Sequence, residues 1–257
     1  MAHGLPAHPP MLRVSGLSKS YGHRLALDGV TFSIRAGEVL GLIGPNGAGK
    51  TTLFECLAGV LPPTAGVLLQ GNRVIASGER KSLLFYLPDA IAPWPAQSVR
   101  WALDYTIGFF GGHAELRDEV VHTLALEPLL AAPIGTLSKG ERKRALLAIG
   151  LLTPQPFLLI DEPFDGLDLK QSREVGAALR SHAARGRTLV LSIHQIAEAA
   201  RLCDRFVLLS GGGVVAEGTL TELDALAGQR RPSQAGLVPG RLRDPAAELE
   251  EAFLALT

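Results

Sequence analysis

The stretch Gly44-Pro45-Asn46-Gly47-Ala48-Gly49-Lys50-Thr51-Thr52 constrains this chain more than any other. Val39-Leu40-Gly41-Leu42-Ile43 precedes it and reads as a buried strand. Leu53-Phe54-Glu55-Cys56-Leu57-Ala58 follows it and reads as a helix. A strand, a G-x-x-x-x-G-K-[ST] loop and a helix together make the context of a phosphate-binding loop. Its glycines let successive backbone N–H groups turn toward an anion, and the helix N-terminus adds partial positive charge. Lys50 can then reach β- and γ-phosphates, and the Thr51 hydroxyl can ligate Mg²⁺.

A second stretch fits that loop. Phe157-Leu158-Leu159-Ile160-Asp161-Glu162-Pro163 is an apolar strand ending in paired carboxylates. Such a strand places them at the carboxyl edge of a parallel sheet, where these sheets bind ligands. Asp161 can hold a metal shell and Glu162 can take a proton from an attacking water. Thr188-Leu189-Val190-Leu191-Ser192-Ile193 is a further buried strand, and His194 at its end can donate to a γ-phosphate. Leu137-Ser138-Lys139-Gly140-Glu141 opens a helix running to Leu152 and on its own reads first as a capping box, Ser138 to Glu141, and second as an anion site. Tyr21, just before a turn at Gly22, can stack on a base or simply pack. Asp165-Gly166-Leu167-Asp168 is a tight loop before a helix from Leu169.

The remainder is organised around these motifs. Residues 1–11 read as a flexible leader, and Leu12 to Gly22 and Leu27 to Ile34 as strands. Leu83 to Leu87 reads as a buried strand. From Ser98 to about Leu130 the pattern is helical with a break at Gly111-Gly112, an inserted lobe spanning about residues 97–150. Phe206–Leu209 and Gly213–Ala216 read as a hairpin. Gly228 to Arg243 reads as a linker, and Pro245 to Leu256 as a short amphipathic helix closing the segment 228–257.

Lys+Arg and Asp+Glu number 25 each, so the chain carries no global basic field and no nucleic-acid partner is expected. Cys56 and Cys203 have no metal or redox spacing and read as core thiols. Met1 to Pro10 lacks the basic and apolar regions of a signal peptide, and no apolar run is long enough to span a bilayer. A role at a membrane therefore requires a partner.

From about Leu12 to Gly218 the order of these motifs resembles the ATP-binding subunit of an ABC transporter. Tyr21 matches the base-stacking aromatic, Gly44 to Thr52 Walker A, and Leu137 to Glu141 the signature usually written LSGGQ. Leu158 to Glu162 matches Walker B with its catalytic Glu, Asp168 closes the D-loop, and His194 matches the switch histidine. The resemblance implies an α/β fold over residues 12–227: a P-loop NTPase core with a parallel sheet, an N-terminal antiparallel β subdomain and an inserted helical subdomain. It implies ATP and Mg²⁺, with Thr51, Asp161 and Asp89 as metal-side residues and Glu162, His194 and Lys50 as catalytic ones. It also implies that Ser138 and Gly140 of one subunit complete the site of a second, identical or different ATP-binding subunit. Asp89 stands where the family carries Gln, with Gln97 misplaced by several residues. Lys139 and Glu141 depart from the signature, and Lys139 is expected to face solvent.

The implied partner is an integral membrane permease, which places the chain in the cytoplasm at the inner face of the cell membrane. The tail ending Leu254-Ala255-Leu256-Thr257 is similar to that of the drug, lipid and polysaccharide exporter branch. An importer ATPase, a soluble ABC ATPase without a transport role and a module that holds ATP without hydrolysing it are the alternatives.

Overall fold

A computed structural model describes residues 11–89, 91–230 and 244–257. Apart from Met11, the expected leader lies outside them, as do residues 231–243 of the expected linker. In chain order the elements begin with strands β1 (Leu12–Tyr21), β2 (Arg24–Ile34) and β3 (Val39–Ile43), then helix α1 (Lys50–Ala58). Strands β4 (Ala65–Gln70) and β5 (Arg73–Val74), helix α2 (Ser77–Leu83) and strand β6 (Leu84–Leu87) follow. Helices α3 (Val99–Phe110), α4 (Ala114–Thr123) and α5 (Lys139–Leu151) form the inserted lobe. The chain returns through β7 (Phe157–Asp161), α6 (Leu169–Ala184), β8 (Thr188–Ile193) and α7 (Ile196–Leu202). It ends with β9 (Arg205–Ser210), β10 (Gly213–Gly218), α8 (Leu220–Arg230) and α9 (Pro245–Leu256).

Two sheets result. Four antiparallel strands lie in the order β2-β1-β4-β5, and six strands in the order β10-β9-β3-β8-β7-β6. Within the larger sheet β9, β3, β8, β7 and β6 are parallel, and only β10 runs against its neighbour. This is the α/β fold of a P-loop NTPase core carrying an antiparallel subdomain and a helical lobe. Every residue of β3, β7 and β8 is buried, because helices and the smaller sheet cover both faces. Alternation along each strand divides the interior in two. Leu40, Leu42, Leu159 and Val190 pack with the smaller sheet and α1. Val39, Ile43, Leu158, Ile160, Leu189 and Leu191 pack with the helical lobe, α6 and the C-terminal helices.

Several boundaries differ from the sequence reading. Leu83 closes α2 instead of opening a strand. The second helix of the lobe stops at Thr123, and the chain then turns through Ala125 at φ 49° into a short 3₁₀ turn over Glu127–Leu129. Gly228 to Arg230 finish α8 and are not linker. No helix among the described residues is long and apolar enough to cross a membrane.

Candidate functional site

The parallel order brings the C-terminal ends of β3, β7 and β8 to one edge, and the motif residues lie there. After Ile43 the chain curls so tightly that a Cβ on Gly44 would lie 2.5 Å from the Leu209 carbonyl oxygen. Gly49, at φ 102°, caps α1 in the left-handed region, and a Cβ there would lie 2.7 Å from the Ala26 carbonyl oxygen. Any side chain at either position breaks the loop. Lys50 is buried in its own loop. Its Nζ donates to the carbonyl of Gly44 at 2.7 Å and that of Pro45 at 3.4 Å, and lies 3.8 Å from Glu162 Oε1.

Asp161 ends β7 and is held from three elements. Ser192 Oγ on β8 donates to its Oδ1, Thr51 Oγ1 on α1 donates to its Oδ2 at 2.8 Å, and the Tyr86 hydroxyl on β6 reaches Oδ2 at 3.5 Å. Burial, with the Asp161 charge second, pushes the Tyr86 phenol well above its ordinary value, so this hydroxyl stays a donor. Glu162 takes φ 49°, a left-handed conformation uncommon outside glycine. Its N–H donates to Ser192, at 3.2 Å to the carbonyl and 3.0 Å to Oγ. These bonds hold the backbone in that turn, and Glu162 Oε2 meets His194 Nδ1 at 2.5 Å.

A cavity of about 330 Å³ opens on this edge. It is lined by Pro45, Asn46, Gly47, Gly49, Lys50, Thr51 and Thr52 of the loop, by Asp161 and Glu162, by Tyr21, Arg24 and Ala26, and by Asp89. Tyr21, 48% exposed, stands at its rim with Lys19 Nζ 5.4 Å from the ring centroid. An apolar face at the rim and a basic, N–H-rich floor match a molecule with a flat base at one end and phosphates at the other.

Gly44, Ala48, Ser138, Gly140, Asp168 and His194 are not among the lining residues. Gly44 and Ala48 shape the loop from behind. Ser138 and Asp168 cap helices. Ser138 Oγ accepts from Glu141 N at 3.4 Å while Glu141 Oε2 accepts from Ser138 N at 2.9 Å, the full capping box of α5. Asp168 Oδ1 accepts from Gln171 N at 2.8 Å at the start of α6. Lys139 is exposed, as expected, and also pairs with the D-loop, its Nζ 2.6 Å from Asp165 Oδ2. That bond holds the Asp165 carboxyl below, and the Lys139 ammonium above, its ordinary value. Asp89 reaches the cavity wall, and its Oδ1 lies 2.5 Å from Lys143 Nζ. Gln97 lies elsewhere, its carbonyl accepting from Ile134 N at 2.9 Å in the helical lobe.

The sequence reading missed Arg24, Ala26, Tyr86, Ser192 and Lys143. Tyr86 and Ser192 are polar groups in largely apolar strands, a pattern that flags them without showing which residue they face. Lys143 carried none, because a partner distant in sequence, Asp89, brings it to the site, and Arg24 enters beside Tyr21 across the β1–β2 hairpin.

Residues 27–165 match the family described as ABC transporter. Over 220 residues the chain is 36% identical to the Nod factor export ATP-binding protein I of Ralstonia nicotianae, covering 83% of this chain and 68% of that one. It is 36% identical over 213 residues to the protein of the same name from Rhizobium sp. (strain N33), covering 80% of this chain and 70% of the relative. Among solved structures, an ATP-binding subunit of an ABC transporter superposes with a TM-score of 0.80 at 28% identity, over 96% of this chain and 99% of that one. A bacterial Atm1-family ABC exporter with ATP bound shares the fold at a TM-score of 0.76 and 22% identity, over 87% of this chain and 41% of that chain.

Proposed function

The chain belongs to the ABC transporter ATP-binding family, and from that premise we propose that it is the ATP-hydrolysing subunit that powers an exporter. Membership implies ATP binding and ATPase activity coupled to transport. The observation that carries the site assignment is the convergence of Lys50, Thr51, Asp161 and Glu162 on one cavity at the carboxyl edge of the sheet. Export is supported by the relatives, which are named as export ATP-binding proteins.

In this reading Tyr21 stacks on the base and Gly44 to Thr52 wrap the phosphates, with Lys50 donating to the β- and γ-phosphoryl oxygens. The Thr51 hydroxyl and an Asp161 oxygen meet at 2.8 Å, a donor pair that suits magnesium once phosphate oxygens and water complete the shell. Bound there, magnesium supplies charge neutralisation across the phosphate oxygens. Asp89, which the sequence reading placed on the metal side, lines the same cavity. Glu162 takes the proton of the attacking water, and His194, within hydrogen-bond reach of Glu162, donates to the γ-phosphate.

Ser138, Gly140 and Asp168 are absent from the cavity wall. Their role is therefore assigned to a head-to-tail dimer, of two copies or of two different cassettes, in which the signature of one subunit closes the site of the other. The permease is a separate integral membrane protein, and the chain sits at the cytoplasmic face of the membrane through it. An exposed aromatic ladder supports that docking. Trp94, Trp101, Tyr105 and Phe109 follow one another at ring-centroid distances of 5.5, 5.1 and 6.1 Å along the loop after β6 and helix α3. No nucleic-acid partner is proposed.

The test is Glu162→Gln. Loss of a general base is expected to slow hydrolysis about 100-fold or more while ATP still binds. Hydrolysis at the wild-type rate would overturn the base assignment. The same variant, tagged and loaded with ATP, is expected to retain a permease from solubilised membranes. Co-purification of a solute-binding protein would move the reading to import.

A further inference from the structure

Lys143 lies on α5 with its side chain 5% exposed, beside the nucleotide cavity and not in its wall. A buried ammonium requires partners. It has two: Asp89 Oδ1 at 2.5 Å and the backbone carbonyl of Asp161 at 3.4 Å. Asp89 in turn lines the cavity that already contains Asp161 and Glu162. Three carboxylates on the wall of a site for a polyphosphate are electrostatically opposed to its ligand, and among the described residues only two cations, Lys50 and Arg24, line that wall. Lys143 supplies the missing positive charge from behind. It also joins three pieces of chain: the loop after β6, the end of β7 and the helix that follows the signature.

Resting on the nucleotide reading above, we propose that Lys143 is a positioning residue of the ATP site, which neutralises Asp89 at the phosphate cavity and anchors the Asp161 backbone. Asp89 is accordingly the charge partner of α5 and not a ligand of the metal. The proposal also accounts for a carboxylate at this position. Asp89 is tolerated beside phosphates because its charge is cancelled by a lysine buried directly behind it. The contact makes the Asp89 loop and α5 move as one body.

The experiment is a double-mutant cycle with Asp89→Asn, Lys143→Met and the pair combined, in the full chain. Two readouts are taken: equilibrium ATP affinity in EDTA and in Mg²⁺, and thermal melting. A purely structural pair lowers the melting temperature and leaves affinity alone. The proposed role moves affinity in opposite directions. Lys143→Met leaves Asp89 uncompensated and is expected to weaken ATP binding about fivefold to tenfold in EDTA, and Asp89→Asn to tighten it by a similar factor. The double variant is expected within about twofold of wild type and to melt above the level that the two single shifts would sum to.

Asp89→Asn is further expected to keep the wild-type ratio of affinities with and without Mg²⁺. Affinity changes of the same sign, additive changes, or loss of the Mg²⁺ effect in Asp89→Asn would each overturn the proposal. If either single variant does not fold, Asp89→Asn/Lys143→Gln must fold and bind ATP within twofold of wild type, and failure to do so counts against it. A wild type that binds no ATP would overturn the nucleotide reading and this role with it. Normal wild-type binding with uncoupled variants would overturn this role alone.

Discussion

The large sheet buries charge at both of its edges, and the two edges use it differently. At the amino ends of the strands, Arg205 Nη1 donates to both oxygens of Glu38 at 3.1 Å each, and Nη2 donates to Glu217. Ser33 gives Glu217 Oε1 two more bonds, at 3.1 Å from N and 2.8 Å from Oγ. Nearby, Arg187 donates to the carbonyls of Gln155 and Leu151 and to the Thr153 hydroxyl. At the carboxyl ends, Asp161, Glu162, Lys50 and Thr51 are bonded to one another as well, but their group forms the wall of a cavity. Buried charge alone therefore does not mark a site. What distinguishes the carboxyl edge is that its donors and acceptors face open space.

The difference is tested most severely at Arg205. Arg205→Met leaves Glu38 and Glu217 facing each other without a cation. Burial already pushes the Glu38 carboxyl above its ordinary range, against the pull of the Arg35 amide and of Arg205. Breaking such a pair costs about 3–5 kcal/mol, a fall of roughly 10 °C in melting temperature for a chain of this size. ATP affinity of the folded fraction should not change. A variant that keeps its stability and loses ATP binding would erase the distinction between the edges.

A smaller effect is expected at Ser192, which serves the carboxyl edge from inside β8. Ser192→Ala removes the donor to Asp161 Oδ1 and one of two acceptors of the Glu162 amide. The carbonyl of Ser192 still accepts from that amide at 3.2 Å, so the left-handed turn at Glu162 survives. Hydrolysis should fall about tenfold to 100-fold from misplacement, roughly 1.4–2.7 kcal/mol in the barrier. Stability should fall by only about 1 kcal/mol. Steady-state ATPase rates set beside urea unfolding separate the two. A large loss of stability with normal kinetics would make Ser192 a structural group like those of the opposite edge.

The same contrast explains what was legible in the sequence. Asp161 and Glu162 stand at the end of an apolar strand and Lys50 closes the glycine-rich loop that follows another, so local pattern alone put them at the sheet edge. Ser192 enters the site because β7 and β8 pair in a register that sets it opposite Asp161. Tyr86 enters because β6 pairs with β7, Tyr86 opposite Leu159. Registers of parallel strands are set by long-range packing, and no short window of residues contains them. Helix α2 was hidden by a short polar sequence with a glycine, Gly78, near its start. Helix α8 was more accessible: Leu220, Leu223 and Ala227 recur at helical spacing, with Leu223 and Ala227 buried. Nothing in the sequence singles out Lys143, since its meaning depends on Asp89, 54 residues away.

The mildest expected effect belongs to His182, near the end of α6 on the amino-edge side. Burial pushes its pKa down to about 4 from an ordinary 6.5, and the charges of Arg187 and Arg185 lower it further against a smaller pull from Glu119. The folded chain thus holds a neutral imidazole where the unfolded chain binds a proton. With the folded pKa depressed, the unfolded state carries more protons between pH 6.5 and 4, so stability falls as pH falls through that window. At pH 5.5 the loss from this one group is about 1 kcal/mol relative to pH 7.5. His182→Gln has no proton to bind, so its melting temperatures at pH 7.5 and 5.5 should lie about 2–4 °C closer together than those of wild type. An unchanged gap between the two pH values would mean that His182 is protonated in the folded state, and that this edge too has a group open to solvent.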